Sequence, residues 1–174
     1  MADNPSARLM QRMKDAVAYS TEHVHGGGTP FSAFVVDIHG TIFGRGVNRV
    51  REHHDPSAHA EVEAIRDACR AAGMSHLSGM ILMASGEPCA MCYLSALYAG
   101  IEQVYFAVDR NEAAAHGFDY RGTYSLLAHD PLVWKSPASR KLSVPEGMQP
   151  FLAFRSRVRA HRAESHELLA EAYL

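Results

Sequence analysis

Apolar positions Leu9, Met10, Met13, Val17 and Val24 recur at helical spacing and predict an amphipathic helix from Ser6 to about His25. Gly26-Gly27-Gly28-Thr29-Pro30 ends it and permits a sharp turn. Phe31–Asp37 and Thr41–Val47 read as two strands joined through a turn at His39-Gly40, an antiparallel pair. Arg49–Ser57 is a polar loop. A second helix is expected to begin near Ser57 and to stop at Gly73. Met80–Ala84 is a short apolar run suited to a buried strand, after which Glu87-Pro88 opens a third helix that Gly100 closes. Val104–Val108 is a further apolar run, and its connection through that helix makes it a parallel neighbour of the strand before. Strands interleaved with helices predict an α/β sandwich layered around a mixed sheet.

Beyond Asp109 the pattern thins. Glu112–His116 is a short helical stretch, Ala128–Glu146 has no assignable element, and Pro150 onward reads as mostly helical, with Phe151, Phe154 and Val158 on one face.

Composition acts mainly by exclusion. A chain of 174 residues fits one domain and buries roughly 70% of its unfolded surface. The 47% hydrophobic and 21% charged content argues against disorder. No apolar run reaches the ~20 residues of a membrane helix, and Met1-Ala2-Asp3-Asn4-Pro5 lacks the features of a secretory signal. A net charge of -2 gives no broad electrostatic reason to bind nucleic acid. Three cysteines do not make a disulfide framework, which points to a reducing, cytoplasmic setting.

The chemistry concentrates in two motifs, His59-Ala60-Glu61 and Pro88-Cys89-Ala90-Met91-Cys92. One imidazole and two thiols are ligand types that zinc takes, and three protein ligands leave a fourth tetrahedral position open, as catalytic sites do. Cys89 and Cys92, three apart, share one face of a helix, and their place in its first turn favours thiolates. Alone, a C-x-x-C pair would read as a structural half-site or a redox pair. Cys69 could close such a site only by standing beside His59, yet ten residues of helix separate them by ~15 Å. Cys69 is therefore read as a core thiol. Residues two apart on a helix diverge by roughly 200°, so His59 and Glu61 can cooperate only at a helix N-terminus.

These motifs carry the H-x-E…P-C-x-x-C signature of zinc-dependent base deaminases. From about Thr29 to about Tyr124 the chain resembles the cytidine deaminase-like superfamily, in its branch of nucleobase and tRNA-adenosine deaminases. Pro30–Val36, Gly46-Val47-Asn48, Asp55–Glu61, Ser85–Cys89 and Ala114–Asp119 carry the resemblance. It implies a three-layer α/β/α sandwich around a mixed five-stranded sheet. It also implies one deaminase domain over residues 1–174 and a homodimer in which the C-terminal segment, about 125–174, can be exchanged between subunits.

The resemblance further implies one zinc ion per chain on His59, Cys89 and Cys92. Glu61 then moves protons from the zinc-activated water to the base and to the departing amine. It places Asn48 on the base edge and Phe31 and Tyr98 against its ring, with Ala60 among the substrate-binding positions. Asp119 and Glu112 are candidates for a second acid, either of which reads equally well as a surface ion pair. Gly117-Phe118-Asp119 is closer to the bacterial guanine deaminases than to the tRNA enzymes, but Tyr120 stands where some of them carry a further aspartate.

The implied reaction is guanine to xanthine with release of ammonia. Cytosine, isoguanine or amino-triazine deamination, tRNA adenosine deamination and a non-catalytic zinc-stabilised subunit are the alternatives. His53-His54 reads as a solvated loop. Arg155, Arg157, Arg159 and Arg162 could meet RNA phosphates, but the following Glu164, Glu167 and Glu171 make intrahelical pairing the simpler reading, and Tyr173 is a candidate lid residue.

Overall fold

A computed structural model describes residues 5–129, 148–150 and 152. The chain divides into two units, Met1–Ala128 and His129–Leu174, and the ten elements named among the described residues lie in the first. They run α1 (Pro5–His25), β1 (Ser32–Val36), β2 (Ile42–Val47), α2 (Val50–His53), α3 (Ala60–Ala72), β3 (Ile81–Gly86), α4 (Ala90–Tyr98), β4 (Gln103–Val108), α5 (Arg110–Ala115) and α6 (Gly122–Leu126). The expectations that fall on residues 130–147 and 153–174, including the arginine run, Tyr173 and most of the exchanged segment, lie outside the described residues.

The sheet order is β2-β1-β3-β4. β1 is antiparallel to both β2 and β3, while β3 and β4 are parallel. The parallel step follows from the α4 crossover, since only antiparallel neighbours can be joined by a tight turn.

Alternation along the central strands builds two cores. Ala33, Val35, Leu82 and Ala84 face Ala60, Ala64, Ala68 and Ile65 of α3 and Ala96 of α4. Phe34, Val36, Ile81 and Met83 face Ala16, with Leu9, Met13 and Tyr19 packed alongside from α1. The result is the expected three-layer α/β/α sandwich. Side chains such as Leu82, Met83 and Val35 are fully buried, each contributing roughly 1.5–3 kcal/mol of transfer free energy.

Small residues set the distance between α3 and the sheet. Ala60, Ala64 and Ala68 repeat every four residues on the buried face, and β2 presents Gly44 and Gly46 to them. A Cβ at Gly44 would lie 2.3 Å from the Ala64 carbonyl oxygen, and one at Gly46 would lie 2.1 Å from that of Ala60. The helix backbone rests directly on strand backbone, which fixes the height of the α3 N-terminus over the sheet end.

Three expectations are corrected. The sheet has four strands among the described residues, not five. Asp109 ends β4 by accepting the Asn111 and Glu112 N–H groups while Glu112 reaches back to the Asp109 N–H, and this reciprocal cap starts α5 at once. The second long helix starts at Ala60 rather than Ser57, because Asp55 Oδ1 takes both the N–H and the hydroxyl of Ser57 at 2.8 and 2.6 Å and holds 55–57 as a turn. Within the polar loop, Val50–His53 forms one short helix.

Candidate active site

Two helix starts meet here. His59 precedes α3 with extended backbone (φ -71°, ψ 155°), and Cys89 precedes α4 in the same way (φ -70°, ψ 173°). Both residues therefore occupy the cap position, and Glu61 and Cys92 follow within the first turns. This resolves the angular difficulty of a histidine and a glutamate two apart, because His59 is outside the helix whose first turn carries Glu61.

His59 Nδ1 lies 3.5 Å from Cys89 Sγ and 3.5 Å from Cys92 Sγ, and the sulfurs are 3.6 Å apart. A tetrahedral zinc with Zn–S about 2.3 Å and Zn–N about 2.0–2.1 Å requires ligand separations of about 3.6 Å for S···N and about 3.8 Å for S···S. The three donors already stand at nearly those distances, so the donor set fits the ion in type and in spacing. Among the described residues these three form the single such group. Cys69 is not in it; it packs half-buried against the α3 core, where burial pushes its thiol up.

The electrostatics suit a cation. Hydrogen bonding with Cys92 and then with His59 brings the Cys89 thiol down to about 4. Hydrogen bonding to Cys89, burial and the neighbouring Glu61 push the Cys92 thiol up. Two thiols this close share one proton, and a dication in their midst would displace it. The Cys89 contact also raises His59. Glu61 is only 5% exposed, with Oε2 3.4 Å from Cys92 Sγ. Burial first of all pushes its carboxyl up to about 6, within reach of either protonation state near neutral pH.

A small pocket opens beside this cluster, lined by Phe31, Asn48, His59, Glu61, Glu87, Cys89 and Tyr120. Phe31 and Asn48 are brought together by the Asn48 N–H donating to the Phe31 carbonyl at 3.2 Å. Asn48 Oδ1 accepts the Val50 N–H at 3.3 Å, which leaves the side-chain N–H groups with capacity to spare. His23 Nε2, from the end of α1, stands 3.0 Å from the Asn48 carbonyl oxygen. Phe31 meets Phe118 edge-on at 5.2 Å and Tyr120 at 6.4 Å between ring centroids.

The remaining expected residues stand elsewhere. Ala60 is buried in the core against the sheet and is not in the pocket lining. Tyr98 is 63% exposed at the far end of α4, nine residues and about 13 Å of helix beyond Cys89. Asp119 is not in the pocket lining. Its side chain is 54% exposed and bound by Arg121 at 2.7 Å, a hydrogen bond that lowers its carboxyl to about 2. Glu112 is engaged in the α5 cap.

Sequence reasoning passed over two lining residues, Glu87 and Tyr120. Glu87 was legible only as a helix opener, and the signal that mattered was Arg110, which binds its carboxylate from the start of α5. His53, on α2, comes no nearer to a carboxylate than 3.9 Å from Glu63.

Residues 6–108 match the model of the cytidine and deoxycytidylate deaminase zinc-binding region. The chain belongs to that family. The guanine deaminase of Bacillus subtilis is 37% identical over 145 residues, which are 83% of this chain and 92% of that enzyme. An X-ray structure of guanine deaminase from Bacillus subtilis superposes with a TM-score of 0.77 at 35% identity, over 84% of this chain and 93% of the other.

Similarity to the tRNA-specific adenosine deaminase of Agrobacterium fabrum is more local, 37% over 86 residues, or 49% of this chain and 56% of that one. A solved structure in complex with 8-azaguanine matches with a TM-score of 0.61 at 28% identity, over 67% of this chain and 65% of the other.

Proposed function

We propose that the chain is a zinc-dependent hydrolase that deaminates a free nucleobase, guanine, to xanthine and ammonia. One observation carries this reading: a zinc-sized triangle of His59, Cys89 and Cys92 stands against the buried carboxyl of Glu61 and opens on a small aromatic pocket. The substrate assignment is supported by similarity to a guanine deaminase along nearly the whole of that enzyme and by a relative that binds 8-azaguanine.

Zinc held on these three residues supplies Lewis acidity that makes water nucleophilic near neutral pH. Everything else is done by the chain. Glu61, whose carboxyl is raised to about 6, takes a proton from the attacking water and delivers it to a ring nitrogen of the base. It then passes the second proton to the departing amine, so that water and guanine leave as xanthine and ammonia. Such positioned proton transfer contributes about 10²–10⁴-fold. Asn48 offers N–H donors to the base edge, while Phe31 and Tyr120 bound the slot that orients its ring. Those contacts exclude bulk water from Glu61, which sharpens its electrostatic effect.

The polynucleotide alternative lacks an electrostatic basis, since the net charge of -2 supplies no attraction for a phosphate backbone. A homodimer belongs to the proposal. It is supported by the exposed Tyr105, Phe106 and Val108 on the edge strand β4 and by Leu94, Leu97 and Tyr98 on α4; light scattering on the purified chain reads the mass. A cytoplasmic location is proposed on the need of Cys89 and Cys92 to remain thiols.

The deciding assay is ammonia release from guanine, cytosine, adenine, isoguanine, their nucleosides and adenosine in tRNA. Guanine should lead by at least tenfold in kcat/KM. Equal or greater turnover of cytosine or of adenosine in tRNA would overturn the substrate assignment.

A further inference from the structure

The turn that presents Cys89 is held almost entirely from one side. Its one backbone tie among these contacts is the Glu87 N–H donating to the Val108 carbonyl at 2.8 Å. The other ties come from the stretch after β4 and involve side chains. Arg110 gives its backbone N–H and its guanidinium to the Glu87 carboxylate. Tyr120 donates its hydroxyl to the Glu87 carbonyl at 2.7 Å, and Tyr124 donates its own to the Pro88 carbonyl. The Arg110 guanidinium lies 3.7 Å over the Tyr124 ring, so these side chains form one assembly.

The two carbonyls concerned are those immediately before the metal ligand. Neither can enter the α4 hydrogen-bond ladder, which begins with the Tyr93 N–H donating to the Cys89 carbonyl. The orientation of the Pro88 carbonyl fixes the peptide plane that leads into Cys89, and with it the direction of the Cys89 side chain. His59 is anchored differently. Its neighbour Ala58 is tied by backbone through Arg49, and its own carbonyl by Glu63.

We infer that Tyr120 and Tyr124 are positioning residues of the metal centre, their hydroxyls holding the Glu87-Pro88 turn so that Cys89 completes the triangle with His59 and Cys92. This deepens the zinc reading and rests on it. Groups that orient metal ligands cost 10–100-fold in metal affinity when removed, and the phenol bonds of Tyr124 and Tyr120 act one and two residues before the ligand. About threefold is therefore expected for either hydroxyl and about tenfold or more for both.

The test uses the full chain and three variants, Tyr120→Phe, Tyr124→Phe and the double variant, which keep the rings and lose only the hydroxyls. Zinc affinity is read by competition with a chromophoric chelator, and ligand geometry by the visible spectrum of the cobalt-loaded protein. The double variant should bind zinc about tenfold more weakly, with altered cobalt bands and an unchanged metal-free circular dichroism spectrum. A separate Leu9→Ala change in the α1 core should lower Tm and leave zinc affinity within twofold.

Parent-like zinc binding and cobalt bands in the double variant would overturn the positioning role while leaving the zinc site intact. An equal zinc loss in Leu9→Ala would overturn it too, as a general stability effect. A parent chain that binds no zinc would overturn both readings.

Discussion

Gly46 lies against the Ala60 carbonyl so closely that a Cβ there would come within 2.1 Å of the oxygen. Gly46 belongs to the strand that leads into Asn48, and Ala60 stands between His59 and Glu61. This single backbone approach therefore joins the substrate side of the pocket to the metal side.

Gly46→Ala should accordingly do more than destabilise. Only backbone atoms lie in the way, with the Ala64 nitrogen at 2.5 Å as well, so the α3 N-terminus must lift. Overpacking of this sort costs about 1–3 kcal/mol. Urea unfolding should show that loss, and chelator competition should show weaker zinc binding in the fraction that remains folded. A variant that unfolds earlier yet holds zinc as the parent does would show that the α3 N-terminus has not moved.

Arg110 supplies the pH dependence. Its hydrogen bonds hold the Glu87 carboxyl below the usual carboxylate range, so Glu87 binds fewer protons in the folded chain than in the unfolded one. Its contribution is present above the unfolded value of about 4.3 and is lost as pH falls through the lowered folded value. Arg110→Met should therefore lower stability at pH 7, where the parent's Glu87 is ionised and paired. It should also flatten the decline in stability between about pH 5 and 3. Thermal melts across that range check both parts; a parent-like acid slope would contradict the pairing.

Asp119 offers a discriminating substitution. Its pairing with Arg121 on the surface predicts that Asp119→Asn keeps kcat within about threefold of the parent. A fall of 10² or more, comparable with that expected at Glu61, would restore it as the second acid of the reaction.

What the sequence disclosed and what it concealed divide along contact range. His59, Glu61, Cys89 and Cys92 were legible because ligand chemistry is written in short spacings, and the apolar strands over 31–37 and 80–84 were legible because they are local runs. The start of α3 was misplaced by three residues because the Asp55–Ser57 turn competes locally with helix.

Glu87, Tyr120 and Tyr124 could not be placed beforehand, since their roles depend on hydrogen bonds across 23 to 36 residues of chain. The glycines of β2 look like weak strand formers until the helix that rests on them is seen. The position of Tyr98 at the exposed end of α4 was not legible, because the sequence does not specify which end of the helix faces the pocket. Asp119 had its competitor in plain view two residues on, in Arg121.

The most direct test of the whole account is metal content and ammonia release measured together on the parent chain and on Glu61→Gln. The account predicts one zinc per chain in both proteins, guanine deamination by the parent, and a loss of about 10²–10⁴-fold in kcat for the variant. A parent without stoichiometric transition metal, or a variant with zinc and undiminished turnover, would contradict it.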